Sequence, residues 1–81
     1  MNREFHGAQW EFINTSAYLT YAQFRVVVST FRADTVLWSI WDKSEPNMFA
    51  YDGKLVAHGS AANMPRALFQ CETWLASQGK Q

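Results

Sequence analysis

The sequence is short of several things, and each shortage narrows what it can be. It has one cysteine, Cys71, so an intramolecular disulfide is impossible and a small secreted scaffold held by cross-links is excluded. Seven basic and seven acidic residues leave a net charge of zero. That argues against a protein that coats phosphates and equally against a strongly acidic DNA mimic. The charges are sparse and of interspersed sign, so there is no charged tail or block. No apolar run approaches the roughly 20 residues that cross a bilayer, and Met1 to Trp10 lacks the apolar core of a signal peptide. These absences predict a soluble cytoplasmic protein. Four scattered glycines form no phosphate-cradling loop. There is no repeat, low-complexity stretch or linker, and 81 residues predict a single domain over 1–81, with residues 1–6 expected to be flexible. A chain of this length buries only about 60% of its unfolded surface, so a partner or a second copy would add stability.

What the sequence has in excess is aromatic side chains: four Trp, three Tyr and six Phe. Each buries roughly 150–250 Å², more than a core this small is expected to enclose. Apolar alternation predicts a short strand over Ala8 to Ile13, then a turn at Asn14-Thr15-Ser16. Ala17 to Gln23 reads as a strand beginning near Tyr18, with a short helix over Thr15 to Gln23 as the alternative. Phe24 to Phe31 is the clearest strand, because Val26-Val27-Val28 is a β-branched run. It sets Phe24, Val26, Val28 and Thr30 on one face and Arg25, Val27, Ser29 and Phe31 on the other. A hairpin connection at Arg32-Ala33-Asp34-Thr35 leads to a strand over Val36 to Asp42, with Trp38 and Trp41 on opposite faces. Lys43 to Asn47, with Pro46, is a loop, and Met48 to Tyr51 extends it or forms a short strand. Asp52-Gly53 is a turn, and Lys54 to Ala61 a strand in which Gly59 marks a bulge or a close backbone approach.

The period then changes. Met64, Ala67, Leu68, Cys71, Trp74 and Leu75 recur at spacings of three and four, which predicts an amphipathic helix over Asn63 to Gln78. Asn63 is the N-cap, Pro65 sits in the first turn, and Gly79 is the stop. The expected fold is α+β: an antiparallel sheet of three to four strands packed on one C-terminal amphipathic helix.

Candidate chemistry is thin. His6, His58 and Cys71 are isolated, without the short paired spacing of zinc ligands, and Cys71 lies on the helix stripe. No glycine-flanked elbow presents Ser29, Ser39 or Ser60 as a nucleophile, and Asp42 and Glu45 read as solvating charges. The expectation is no enzyme, no cofactor and no metal. The helix covers one sheet face, so the other is expected to carry apolar residues drawn from Val27, Phe31, Leu37 and Trp41 or their alternate set. Exposed apolar patches mark interaction sites. Trp41, Phe31, Phe69, Tyr51 and Arg25 are therefore the expected partner-binding residues. Arg25 with an aromatic sheet face also leaves open single-stranded nucleic-acid binding, and a small regulatory homodimer is a third possibility.

Trp38-Ser39-Ile40-Trp41-Asp42, then Asp52-Gly53-Lys54-Leu55-Val56-Ala57-His58-Gly59-Ser60-Ala61, then Ala67 and Trp74-Leu75, form a hairpin-plus-helix pattern. Over its C-terminal half the chain thus resembles small α+β proteins of phages and other mobile elements, of the anti-CRISPR type that inhibits host defence. The resemblance implies a phage-encoded inhibitor in the host-cell cytoplasm that binds a defence complex and blocks its nucleic-acid or nuclease function. Many proteins of that type are strongly acidic and this one is not, which favours steric or allosteric blocking of a protein surface over DNA mimicry.

Overall fold

A computed structural model describes residues 3–44 and 53–78. The first two strands, β1 (Glu4–Phe5) and β2 (Ala8–Gln9), form a hairpin of their own. A five-stranded antiparallel sheet follows in simple sequential order: β3 (Glu11–Ile13), β4 (Ser16–Tyr21), β5 (Phe24–Arg32), β6 (Thr35–Asp42) and β7 (Lys54–Ala61). The helix α1 (Met64–Gln78) closes the described chain. The expected α+β class with an antiparallel sheet and one C-terminal helix is what the structure has. The expected strand number, three to four, is corrected to five in the main sheet and two in the separate hairpin.

The undercount has a local cause. The segment read as one strand over Ala8 to Ile13 is broken at Trp10, whose side chain is buried and whose backbone N–H donates to the Arg3 carbonyl. Ala8 and Gln9 therefore pair back with Phe5 and Glu4, while Glu11 to Ile13 pair with Tyr18, Ala17 and Ser16. Phe5 is buried and Arg3 is tied to α1. The stretch left open between strand and helix is the strand β4, which begins at Ser16 rather than near Tyr18. The expectations at Met48 to Tyr51, for Asp52 in the turn, for Pro46 and for the stop at Gly79 lie outside the described residues.

The helix forms as its stripe predicts. Ala67, Leu68, Cys71 and Leu75 are buried, and Met64 and Trp74 pack at the margin. Asn63 caps it: its Oδ1 accepts the Arg66 N–H at 3.0 Å, and its carbonyl accepts that of Ala67. α1 lies across β5, β6 and β7 on the face formed by Phe24, Val26, Val28, Val36 and Ile40. The β1–β2 hairpin lies beside β4, so that Phe5 meets Tyr21 edge-on at 4.9 Å, and Trp10 completes the same core.

Glu72 pins hairpin to helix. Its carboxylate accepts two hydrogen bonds from the Arg3 guanidinium, at 2.7 and 2.9 Å, and one from Trp10 Nε1 at 2.9 Å. Burial pushes the Glu72 pKa up, but the bonds from Arg3 and Trp10 and the Arg3 charge outweigh it and hold the carboxyl below its ordinary 4.5. A carboxyl lowered in the folded state contributes stability that is complete above its unfolded pKa and is lost as pH falls through the folded one. Stability measured by denaturant titration should therefore decline on acidification below 4.5. Glu72→Gln should flatten that acid slope and lower neutral-pH stability by about 1–3 kcal/mol, the cost of leaving the buried partners unsatisfied.

Two glycines hold close approaches. Gly53 has φ +90° and lies against the backbone of Asp42 and Lys43, so this position needs glycine on both counts. Gly59 pairs with Trp38, and a Cβ there would stand 2.6 Å from the indole Cζ2. Of the two readings of Gly59, close approach is correct; the bulge in β7 falls opposite Ile40 and Trp41 instead. Gly59→Ala should cost about 1–3 kcal/mol by overpacking. Adding Trp38→Leu should recover part of that loss in a double-mutant cycle.

Candidate functional site

Alternation places Ser16, Tyr18 and Thr20 of β4, Arg25, Val27 and Ser29 of β5, and Leu37, Ser39 and Trp41 of β6 on the face away from α1. The burial alternation of these strands is the direct record of that choice: Ala17, Leu19, Phe24, Val26 and Val28 are buried while their chain neighbours are not. No described segment covers this second face. Its side chains fall into three cross-strand rows. Thr20, Arg25, Trp41 and Leu55 form one; Tyr18, Val27, Ser39 and His58 the next; Ser16, Ser29, Leu37 and Ser60 the third. Glu11 and Ile13 extend the second and third rows onto β3.

The rows differ in height. The middle row is low at Val27 and Ser39, and it lies between a row raised by Trp41 and Leu55 and one raised by Leu37 and Ile13. Phe31 stands at the end of β5, where the register shifts between Thr30 and Arg32, and is 62% exposed. A bulge leaves one residue outside the ladder, and here that residue is Phe31. The face is neutral in balance. Arg25 lies over the Tyr18 ring at 5.4 Å and donates to Thr20 Oγ1 at 2.8 Å, so its guanidinium is already engaged within the sheet. Trp41 Nε1 donates to Ser39 Oγ at 3.2 Å, which lays the indole along the strand.

Of the expected site residues, Trp41 and Arg25 share this face, and Phe31 stands exposed at the bulge that ends β5. Phe69 is exposed, as its place off the helix stripe predicts, but it stands on α1 in the opposite layer. Tyr51 lies outside the described residues. Leu37 was among the candidate face residues; Ile13, Leu55 and Tyr18 were not singled out. Ile13 and Leu55 are large, apolar and exposed. Their alternation with Phe12 and Val56 was the only available signal, and the bulge in β7 obscured it for Leu55.

Other chemistry is sparse. Cys71 is buried, and burial, with the charge of Glu72, pushes its thiol up to about 12, so it is protonated at neutral pH. Asp42 closes the end of the sheet: the Ser44 hydroxyl and N–H donate to its Oδ1 at 2.6 and 2.9 Å and, with Gln23 and Lys54, hold its pKa low against burial. Among the described residues no group of three or more His, Cys, Asp or Glu could hold a metal ion. No described helix is long and apolar enough to cross a membrane. Comparison with family models, with curated proteins and with solved structures gives no match.

The two faces should respond differently to mutation. Leu37→Ser, on the open face, should change stability by no more than about 0.5 kcal/mol. Ile40→Ala, three residues on and fully buried, should cost about 2–5 kcal/mol. Denaturant titration of both variants reads the contrast directly.

Proposed function

We propose that this chain is a non-catalytic protein-binding module whose contact surface is the open sheet face bearing Trp41, Leu37, Leu55, Ile13 and Phe31. The observation that carries the reading is a five-stranded sheet with one face packed under helix and hairpin and the other holding large apolar side chains in solvent. Large apolar side chains exposed together on one face mark interaction sites, and Trp and Tyr flanked by Arg is the composition of energetic hot spots. Single-stranded nucleic acid is the weaker reading. The three rows offer one guanidinium, already engaged by Tyr18 and Thr20, where a strand-tracking groove needs several free cations.

The narrower reading is an inhibitor carried by a phage or other mobile element, which binds a host defence complex and blocks its nucleic-acid or nuclease function. It draws support from the likeness of the C-terminal half to such proteins and from a neutral surface better suited to steric blocking than to DNA mimicry. The test has two arms. Expressed in a bacterium whose defence system restricts a known phage, the chain should restore plating, and Trp41→Glu with Leu37→Glu should abolish the effect while the fold persists by circular dichroism. In the second arm, a labelled single-stranded oligonucleotide should show no shift. A shift that weakens steeply with salt and disappears in the same double variant would transfer the face to nucleic acid.

A further inference from the structure

The sheet has two edges of unequal length. β3 offers three residues and β7 eight, and among the described residues no strand pairs with the outer side of β7. Long edge strands template further pairing unless they are blunted. β7 is blunted at one end only, by Lys54 and by the register shift opposite Ile40 and Trp41. From Ala57 to Ala61 its pairing with β6 is regular. On the helix side this stretch presents only Ala57, Gly59 and Ala61. Beside it runs an open, apolar groove of about 440 Å³ on the flank of α1, lined by Trp38, Phe69, Gln70, Thr73, Trp74 and Ser77. Trp38 lies across Gly59 and donates to Gln70 Oε1 at 2.8 Å, while Phe69 stands at the rim, 65% exposed.

We propose that a second copy of this chain occupies that edge and groove, pairing β7 antiparallel with the β7 of its partner about a two-fold axis near Gly59. Both helices then lie on the same side of a continuous sheet. α1 is centred on β6, so the two helix axes stand three strand spacings apart, about 14 Å. Directly packed helices stand about 8–10 Å apart. The remaining gap of about 5 Å is what a layer of large side chains fills, and Phe69 of each copy is placed to enter it.

The choice of occupant follows from the small residues of β7. A strand carrying bulky side chains on that face would meet Phe69 and Trp38, whereas Ala57, Gly59 and Ala61 of a second copy leave the groove to the two phenylalanines. Antiparallel pairing about Gly59 also carries the two Lys54 side chains to opposite ends, without like-charge contact. The open sheet faces of the two copies then adjoin on the far side as one surface. This dimer uses a different surface from the partner-binding face and does not depend on it.

Light scattering coupled to size exclusion on the full chain, run at two concentrations, tests the proposal. The expected mass is twice the 9.3 kDa of one chain. Phe69→Glu, an exposed substitution that leaves the core intact, should weaken the dimer roughly tenfold or more. Trp41→Glu on the open face should leave it intact. A monomer at both concentrations overturns the proposal. So does a dimer lost with Trp41→Glu and kept with Phe69→Glu, which would place the dimer contact on the open sheet face instead.

Discussion

An α-helix with its side chains is about 10–12 Å across, whereas five strands at about 4.8 Å spacing make a sheet roughly 19 Å wide between its outer strands. α1 therefore cannot shield the core face alone. It covers β5 to β7, and the face over β4 is left to the β1–β2 hairpin with Phe5 and Trp10. The two covers are joined by one carboxylate, Glu72, which binds Arg3 and Trp10 together. This junction is what lets so short a chain close a core over five strands. It also uses up every covering element among the described residues, none of which lies over the second face.

The aromatic excess divides along the same line. Phe5, Trp10 and Phe24 are buried, and Phe12, Tyr21, Trp38 and Trp74 pack around them. These close the seams between sheet, hairpin and helix, as the edge-on pairs Phe5–Tyr21 and Phe24–Trp74 illustrate. Among the described residues Tyr18 and Trp41 remain on the open face, Phe31 at the bulge that ends β5 and Phe69 on the helix flank. The aromatic content is therefore partly structural. Among the described residues the exposed portion is smaller than the composition implies.

Local pattern was a reliable guide where it involved one strand or one helix. The face assignment of Phe24 to Phe31, the opposed placement of Trp38 and Trp41, the buried stripe of α1 and the exposure of Phe69 all follow from periods of two and 3.6 residues. The N-terminal hairpin is tied to the helix by a contact 69 residues away, between Arg3 and Glu72. Nothing near Arg3 in the chain announces that partner. The break at Trp10 was missed for a related reason: an alternating run looks the same whether it belongs to one sheet or bridges two. That Trp41 and Phe69 stand in different layers is not readable from the chain, because a residue's exposure is legible in a helical pattern, while the layer it faces is not.

The sequence by itself determined that this is an α+β chain with a capped C-terminal helix, a buried Cys71 and more large apolar side chains than one helix can cover. Hydrophobic period, capping chemistry and turn residues act within a few positions of the chain, so they are readable there. The tertiary structure alone decided which face stays open, that Trp41, Leu37, Leu55 and Ile13 meet on it, and that Phe69 belongs to the other side. Those outcomes depend on strand register and on where the N-terminal hairpin docks. Both are settled by contacts between residues far apart in sequence, whose free energy is available only once the sheet, the hairpin and the helix are assembled together.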